Sequence, residues 1–209
     1  MKQNTGAGIL IGGQVTSMIR QNDVHGNSEQ GVMIQEHAKP DISDNNVHSN
    51  EKTGIRVSQN AKPDIFDNTV HSNLESGIYM DDAAAGQIRN NQLHSNVWAG
   101  LSIAGTGHSM VENNRMFENE GPGMMIQDAA APTVRLNKMR YNKQEGIKVE
   151  DTASGMIEEN TISFNSQSCM SLLHNTFTVL TRQNSLPCEP DVQYVMDGEL
   201  VDCILKQNW

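Results

Sequence analysis

The sequence predicts an all-β solenoid, in which the chain winds through successive coils that stack on one another. Glycine recurs every 23 residues, at Gly8, Gly31, Gly54, Gly77, Gly100, Gly123 and Gly146. Asparagine keeps the same step in two further columns, which run from Asn22 to Asn160 and from Asn27 to Asn165. A fixed period of this size indicates a repeat architecture, because each unit can bury its apolar face only against its neighbours.

Four apolar columns lie between these markers, and in one coil they are Ile78, Met80, Ile88 and Leu93. The first two columns are separated by two residues, which is the spacing of a strand whose alternate residues point inward. The apolar runs are too short for helices, and the intervening Gly, Asn, Asp and Ser residues disfavour helix. A leucine-rich repeat is excluded because its leucine spacing and its helical half are absent.

Each coil is therefore predicted to contain three short strands separated by three corners. Stacking the coils produces three parallel sheets, with about 4.8 Å between neighbouring strands. Asparagine at a corner tolerates a left-handed backbone, and its amide can bond to the same amide in the next coil. Glycine at its corner permits either positive φ or a close approach of two backbones.

The last part of the chain departs from the repeat. We predict regular coils over residues 1–168, followed by a degenerate eighth coil and a C-terminal cap over residues 169–209. Cys169 stands where glycine is expected and Gln183 where asparagine is expected, while Leu180 keeps its apolar column.

Both ends of the solenoid carry a structural expectation. The segment Tyr194–Val201 is typical of a strand, an Asp-Gly turn and a second strand. The first coil starts within a few residues of Met1, which leaves its strand edges exposed. Native proteins rarely leave such edges bare, so we expect a protein partner or self-association to cover them.

Composition narrows the class of partner and the setting. The formal net charge is −10 and no Lys/Arg cluster occurs, so neither nucleic acid nor a membrane is an expected partner. The three cysteines, Cys169, Cys188 and Cys203, form an odd set without CxxC spacing, which argues against a zinc site or a disulfide framework. We predict a reducing, intracellular setting and no cofactor.

The repeat resembles a known family. The segments Pro63–Asn73 and Gly77–Met80 look like the right-handed parallel β-helix repeat. The period most closely resembles the β-helical carbohydrate-binding and sugar-hydrolase (CASH) region of F-box-only proteins. This resemblance covers roughly residues 6–168 and implies a right-handed solenoid. The same repeat occurs in pectin-degrading enzymes, epimerases and periplasmic accessory proteins, so the resemblance leaves the function open.

A column of histidines is the first candidate for chemistry, and it contains His25, His48, His71 and His94. These side chains stand next to an inward apolar residue and so point outward, about 5 Å apart in the stack. They could bind a divalent metal or titrate as a pH-sensitive strip. A line of histidines offers neither mixed ligands nor supporting hydrogen bonds, so we predict a surface ladder and no metal site.

An acidic corner after the first strand is the second candidate. Its carboxylates and a nearby imidazole form a candidate carbohydrate site: Asp81, Asp82, His108, Asp128 and Asp151. Paired acids on a β-helix are typical of glycoside hydrolysis, and Asp81-Asp82 with Gly107-His108 faintly resembles polygalacturonase motifs. However, His108 lies three columns away from the acids. A lyase base is equally poorly placed, because Arg56 and Lys148 are four coils apart.

These patterns favour a non-catalytic binding or scaffold module for protein–protein interaction, with substrate recognition as in F-box-only proteins as one form of it. The regular coils carry no insertion, whereas clefts on β-helices are built by corner loops of unequal length. A smooth and regular surface suits an extended partner. The alternative is a carbohydrate-binding or carbohydrate-active protein, a polysaccharide hydrolase or lyase if it is an enzyme, that uses the acidic corner.

Overall fold

The structure is a computed structural model of the chain, and it describes residues 2–173, 179–186, 194–196 and 205–206. The elements in these ranges are all short strands, because the apolar residues alternate over only three positions before a corner intervenes. In chain order the strands are β1 (Ile9–Ile11), β2 (Met18–Arg20), β3 (Asp23–His25), β4 (Val32–Ile34), β5 (Asp41–Ser43), β6 (Asn46–His48), β7 (Ile55–Val57), β8 (Asp64–Phe66), β9 (Thr69–His71), β10 (Ile78–Met80), β11 (Gln87–Arg89), β12 (Gln92–His94), β13 (Leu101–Ile103), β14 (Met110–Glu112), β15 (Arg115–Phe117), β16 (Met124–Ile126), β17 (Thr133–Arg135), β18 (Lys138–Arg140), β19 (Ile147–Val149), β20 (Gly155–Glu158), β21 (Thr161–Ser163), β22 (Met170–Leu172), β23 (Val179–Arg182), β24 (Tyr194–Met196) and β25 (Leu205–Lys206).

The strands form three parallel sheets, and each regular coil contributes one strand to each sheet. The first sheet has the order β1-β4-β7-β10-β13-β16-β19-β22-β24, the second runs from β2 to β25, and the third from β3 to β21. Ile78 pairs with Leu101 and Leu93 pairs with Met116, so neighbouring strands stay in the 23-residue register. The predicted all-β solenoid with three parallel sheets is confirmed.

The core lies between the three sheets and consists of the four apolar columns. In the coil that holds β10, β11 and β12, the side chains of Ile78, Met80, Ile88 and Leu93 are all 0% exposed. Alternate residues point away from the core, and among the middle residues of the first-sheet strands Arg56 and Tyr79 are partly exposed, whereas Ser102 and Met125 are buried. Across the described ranges, no helix has the length and apolarity that crossing a membrane requires.

Each asparagine column is a continuous hydrogen-bonded ladder, as predicted. Asn68 donates from Nδ2 to Asn91 Oδ1 at 3.0 Å, and its backbone N–H donates to the same oxygen at 3.0 Å. Its Nδ2 also donates to the backbone oxygen of Ile42 at 2.8 Å. The second ladder already begins at Asn4, which donates to Asn27. Every amide thus satisfies polar groups that burial would otherwise leave unpaired.

The left-handed backbone lies one residue before each ladder asparagine, so the ladder columns do not use the tolerance of asparagine for this conformation. Asp67, which precedes Asn68, has a φ of 56°, and Ser72, which precedes Asn73, also has a φ of 56°. The ladder asparagine must direct its amide inward along the stack. The chain reversal therefore falls on the exposed residue that precedes it.

The glycine column is required by a close approach of two backbones. A Cβ atom on Gly77 would lie 2.7 Å from the backbone oxygen of Gly100 and 2.8 Å from Asn96 Nδ2. Real Cβ atoms do not come so near a backbone atom, so a larger residue would push adjacent coils apart. Left-handed glycines occur elsewhere, for example at Gly105 with a φ of 77°.

The eighth coil contains one extra residue, and its ladder position was predicted wrongly. Asn160 Nδ2 donates to Asn184 Oδ1 at 3.0 Å, so the asparagine 24 residues further on continues the ladder. Gln183 takes the left-handed position before it, with a φ of 52°.

The same insertion moves the second-sheet strand of this coil. Thr181 pairs with Ile157, and Leu180 pairs with Met156. Ile157 belongs to the apolar column, so the residue in register with that column is Thr181. The prediction that Leu180 keeps the column is therefore wrong, because the inserted residue shifts the pairing register by one.

Cys169 takes the glycine position in the eighth coil, as predicted, and its backbone oxygen accepts a 3.0 Å hydrogen bond from Ile147 N–H. This cysteine is disulfide-bonded, so the argument against a disulfide is wrong for it. The cysteines therefore no longer support a reducing setting, and an intracellular location stays a prediction.

The described strands β24 and β25 belong to the first and second sheets of the solenoid. Tyr194–Met196 pairs in parallel with Met170–Leu172 and extends the first sheet. The predicted Asp197-Gly198 turn and the strand after it lie outside the described residues. The division of the chain at residue 168 stays a prediction.

Candidate functional site

The side chains on the outer face of the first sheet change from coil to coil. The middle residue of each strand in this sheet points away from the core. These residues are Leu10, Met33, Arg56, Tyr79, Ser102, Met125, Lys148 and Ser171. A guanidinium, a phenol and a hydroxyl therefore follow one another on three consecutive coils, although the backbone beneath them is regular.

A groove of about 330 Å³ crosses this face, and we call it the first-sheet groove. Tyr79 of β10 and Ser102 of β13 form its floor, and Gln127, directly after β16, borders one side. The opposite wall comes from the corners that precede the strands. The lining residues are Thr53, Leu74, Glu75, Ser76, Tyr79, Val97, Trp98, Ser102 and Gln127.

The wall before the strands is apolar and exposed. The exposed fractions are 58% for Leu74, 49% for Val97 and 43% for Trp98. Trp98 is fixed through its backbone, since its N–H donates to Glu75 O and its own oxygen accepts from Gly121 N–H, both at 3.2 Å. An apolar and aromatic wall that faces a few polar groups is typical of a binding site for a small organic unit.

A charged pair lies at the edge of the floor. Arg56 Nη2 donates to Asp81 Oδ2 at 2.5 Å, and the Arg56 guanidinium carbon lies 5.7 Å from the centre of the Tyr79 ring. Among the described residues, Arg56 Nε and Asp81 Oδ1 are buried and find no hydrogen-bond partner. Ion pairs of the second sheet leave Asp64 Oδ1 and Arg135 Nε in the same condition, so several charged pairs of the solenoid share this feature.

The protonation states in this cluster are shifted by burial. Burial raises the pKa of the Asp81 carboxyl, although the hydrogen bond and charge of Arg56 oppose the shift. Burial, followed by the charge of Asp81, raises the pKa of the Tyr79 phenol, so it stays neutral and can donate a hydrogen bond. Together, Arg56 can neutralise a carboxylate, Tyr79 can bind an oxygen, and Asp81 can exchange a proton.

The rest of the predicted acidic corner supports the backbone. Asp82 Oδ2 accepts the N–H of Gln59 at 3.0 Å, and Asp128 Oδ2 accepts that of Gly105 at 3.0 Å. Asp151 Oδ2 accepts the N–H of Asp128 at 3.3 Å. Each carboxylate thus holds the left-handed corner of the preceding coil. Of the predicted acids, the structure brings Asp81 to the edge of the groove, beside Tyr79.

The structure does not bring His108 to these acids. It is exposed in the connection between β13 and β14, and no contact among the described residues joins it to a carboxylate. Lys148, four coils from Arg56, pairs instead with Glu150 at 2.9 Å. The distance argument that separated Arg56 from Lys148 therefore holds, but Arg56 has its own partners in Tyr79 and Asp81.

Sequence reasoning missed Tyr79 and Trp98 as site residues. Aromatic residues make up only 4% of the chain, and Trp98 occupies a corner column that is polar or glycine in the other regular coils. An aromatic side chain that breaks such a column is a signal that could have identified it. Its proximity to Tyr79 and Ser102 depends on the three-dimensional path of the corner.

The histidine column forms a stack of parallel rings on the third sheet. Ring centres are 4.8 Å apart for His25 and His48, 4.9 Å for His48 and His71, and 5.0 Å for His71 and His94. Phe117 continues the stack 4.6 Å beyond His94. Burial lowers the pKa of His71 and of His94, and the charges of His94 and His48 add to the effect at His71.

One end of this stack also contains a carboxylate. Asp23 Oδ1 lies 3.1 Å from His48 Nε2, and Asp23 Oδ2 lies 3.8 Å from His25 Nε2. The three ligand atoms lie within 4.8 Å of one another. The structure thus places a mixed ligand set at His25 and His48, whereas His71 contacts the amide of Asn46 at 3.2 Å.

Comparisons with known proteins identify the fold and its relatives. The sequence model of the right-handed β-helix region matches the chain over residues 1–109 and 40–186. A search of curated protein sequences finds no match at a significant level. The likeness in period to F-box-only proteins stays a prediction.

Several solved structures share the solenoid. A mutant of the periplasmic alginate epimerase AlgG has a TM-score of 0.78 at 18% identity, over 86% of this chain and 47% of that one. The A-module of the mannuronan C-5 epimerase AlgE4 of Azotobacter vinelandii has a TM-score of 0.78 at 15% identity, over 88% of this chain and 56% of that one. The chain spans about half the length of these structures.

The comparison corrects the functional prediction. A non-catalytic scaffold for protein–protein interaction was preferred because the coils carry no insertion. That preference is wrong, because solved structures that share this solenoid are named as an alginate epimerase and a mannuronan C-5 epimerase. At this level of identity the likeness establishes the fold alone. Three parallel sheets, a regular 23-residue register and a family match over most of the sequence show that the chain belongs to the right-handed β-helix family.

Proposed function

We propose that this protein is carbohydrate-active and that its first-sheet groove binds an acidic polysaccharide, a polymer of uronic acids of the alginate type. The observation that carries the proposal is the cluster of Arg56, Tyr79 and Asp81 beside the exposed Trp98. The names of the structural neighbours, an alginate epimerase and a mannuronan epimerase, support this substrate class.

The groove offers what a sugar acid requires. The exposed ring of Trp98 can pack against the C–H face of a sugar, while Ser102 and Gln127 can bind its hydroxyl groups. Arg56 has 35% of its side chain exposed, so its guanidinium remains accessible to a carboxylate of the polymer. Guanidinium and carboxylate form charge-assisted pairs that are stronger than neutral hydrogen bonds.

Substrate binding would redistribute a proton in this cluster. When a uronate approaches Arg56, two carboxylates compete for one cation. Asp81 accepts a proton more readily than an exposed aspartate, because burial raises its pKa. A protonated Asp81 and the neutral Tyr79 phenol would then both lie next to the bound sugar, where each can donate a hydrogen bond or a proton to its oxygens.

Calorimetric titration of the full chain with uronate oligosaccharides tests the proposal, and a neutral β-linked glucan serves as the reference ligand. We expect binding of the uronates and a loss of at least about tenfold in affinity for Arg56→Gln and Trp98→Ala. Nuclear magnetic resonance of the recovered polymer detects any change in uronate configuration. Such a change should disappear in Asp81→Asn and Tyr79→Phe.

A matched control exists on the second sheet. Arg89 pairs with Asp64 at 2.8 Å and lies 4.2 Å over the Phe66 ring, so it repeats the cation, carboxylate and aromatic set outside the groove. Arg89→Gln should leave uronate binding unchanged. Equal losses in Arg56→Gln and Arg89→Gln, or equal affinity for the neutral glucan, would contradict the proposal.

Self-association through the first coil is a separate proposal. Leu10 of β1 and Met18 of β2 are 64% and 57% exposed, so the first coil presents large apolar side chains on its outer faces. Light scattering of the chain should show a dimer or a larger species. A monomer at high concentration would contradict this proposal and leave the groove unaffected.

A further inference from the structure

We propose that Asp23, His25 and His48 bind one divalent transition-metal ion of the zinc type on the third sheet. This site is independent of the first-sheet groove, because its ligands lie on β3 and β6 while the groove lies over β10 and β13. Imidazole nitrogens together with one carboxylate are a ligand set that zinc uses in proteins, with a fourth position left for water.

The donor atoms are already close to the required positions. Zinc binds imidazole and carboxylate at about 2.0–2.2 Å in a tetrahedron, which places two donors about 3.4 Å apart. Asp23 Oδ1 and His48 Nε2 are 3.1 Å apart, and Asp23 Oδ2 and His25 Nε2 are 3.8 Å apart. The third pair, the ligand nitrogens of His25 and His48, is at most 4.8 Å apart, and zinc binding requires this distance to shorten.

The three side chains are exposed enough to turn towards one another. Their exposed fractions are 61% for Asp23, 32% for His25 and 22% for His48. A rotation of the two imidazoles towards Asp23 converts the parallel stack into a clamp around one ion. Neither ring is packed in the apolar core, so this rotation leaves the coil stack intact.

Supporting hydrogen bonds already orient two of the three ligands. Asn46 Nδ2 lies 2.9 Å from Asp23 Oδ1 and donates to it, which fixes the carboxylate. His48 Nδ1 lies 3.0 Å from Ser49 Oγ, so its Nε2 is the atom presented to Asp23. Such outer contacts set the ring orientation and the basicity of metal ligands. A column of histidines alone has neither mixed ligands nor these supporting hydrogen bonds. Asp23 provides the second type of ligand at this end of the stack, and Asn46 and Ser49 provide the hydrogen bonds.

The next coils provide an internal comparison. The position of Asp23 is occupied by Asn46, Thr69 and Gln92 in the following three coils, so the carboxylate occurs beside the histidines only once. His71 Nε2 lies 3.2 Å from Asn46 Oδ1, in the same arrangement with a neutral amide. An amide does not match a carboxylate as a zinc ligand, so the ion should prefer the Asp23 end.

The Asp23 carboxyl is in the form that a metal requires. Burial opposes the shift, but the hydrogen bond from Asn46 and the charge of His48 lower the pKa of Asp23 below its ordinary value. An ordinary aspartate is already ionised at neutral pH, so the carboxylate is available to an ion whether or not His48 carries a charge.

Isothermal titration of the full chain with Zn²⁺ tests the site, and Co²⁺ absorption reports the ligand geometry. We expect one equivalent of Zn²⁺ to bind, and the affinity should fall at least about tenfold in Asp23→Asn and in His48→Gln. Asp23→Asn is a sharp test because Asn46 occupies this position in the next coil, so the substitution is already compatible with the fold. Bound Co²⁺ should give the absorption of a four-coordinate nitrogen and oxygen site, and the variants should lose it.

His94→Gln is the matched control, because it removes an imidazole from the same stack without touching the proposed ligands. It should bind Zn²⁺ as the parent chain does. Thermal melts without metal should be unchanged in Asp23→Asn, which separates loss of a ligand from loss of the fold. Binding that is absent, that survives Asp23→Asn, or that falls equally in His94→Gln would overturn the proposal.

Discussion

Inward and outward positions of the coil stack differ in how strictly the residue type repeats from coil to coil. Inward columns repeat the same apolar residue types in every regular coil, as Ile55, Ile78 and Leu101 show on the first sheet. Outward positions on the same strands change from Arg56 to Tyr79 to Ser102. Repetition therefore specifies the fold, and departures from repetition on the surface identify the places where chemistry is possible.

The largest expected effect is in the inward columns. Ile78→Ala should cost about 2–5 kcal/mol of unfolding free energy, because it removes a fully buried side chain and leaves a cavity. Leu10→Ala changes a first-sheet side chain that is 64% exposed and should stay within about 0.5 kcal/mol of the parent. Urea denaturation measures both. Equal losses would remove the distinction between inside and outside.

The asparagine ladder should come next in size. Asn91→Ala removes the donor to Asn114 Oδ1 and leaves the Nδ2 and N–H groups of Asn68 without their acceptor. We expect a cost of about 1–3 kcal/mol, because buried donors lose their partner. Asn60→Ala, at an exposed position, is the control. A larger loss for Asn91→Ala than for Ile78→Ala would mean that hydrogen bonding outweighs packing in this stack.

The histidine stack should make stability depend on pH. Burial lowers the pKa of His94 below 6.5, while the charge of Glu118 opposes the shift. The unfolded chain therefore binds a proton at higher pH than the folded chain does. The stabilising contribution of neutral His94 is complete above about pH 6.5 and is lost as the pH falls towards the lowered pKa.

Thermal melts between pH 7.5 and pH 5 measure this effect. The decline on acidification should be less than about 1.4 kcal/mol per pH unit for one site, and His94→Gln should reduce it. His108→Gln changes an exposed histidine outside the stack and is the control. An identical decline in the parent chain and in His94→Gln would exclude His94 as its source.

The smallest effect on stability is expected in the groove. Trp98→Ala removes a side chain that is 43% exposed and should change the unfolding free energy by no more than about 0.5 kcal/mol. The same variant should lose uronate binding in the titration described above. A large loss of stability would instead show that Trp98 is part of the packing of the corner.

The sequence alone predicted the features that recur. The columns of Ile78 and Asn91 determine the strands, the sheets and the ladder, because a repeated residue must occupy a repeated environment. It did not locate the left-handed residue before each asparagine, since residues as different as Asp67 and Leu136 adopt it. The inserted residue before Asn184 was also missed, because a single insertion leaves no periodic signal.

The candidate sites were predicted less completely. Asp81 was identified as an acid, but its contact with Arg56 depends on two coils that only the fold brings together. The histidine column was identified, whereas the role of Asp23 was not, because one carboxylate at one end of a column has no periodicity. Both sites contain residues that differ from the other members of their columns, as Trp98 and Asp23 do. A residue that breaks a column is therefore the signal to search for in the sequence.

The asparagine ladder also has a direction. Each amide donates towards the following coil and accepts from the preceding one, as Asn45, Asn68 and Asn91 show. Every coil thus presents the same acceptor on one side and the same donor on the other. A duplicated 23-residue segment could therefore enter the stack between two coils with all its amides paired. The solenoid can lengthen or shorten by whole coils during evolution or in engineering, while a surface site on a distant coil keeps its geometry.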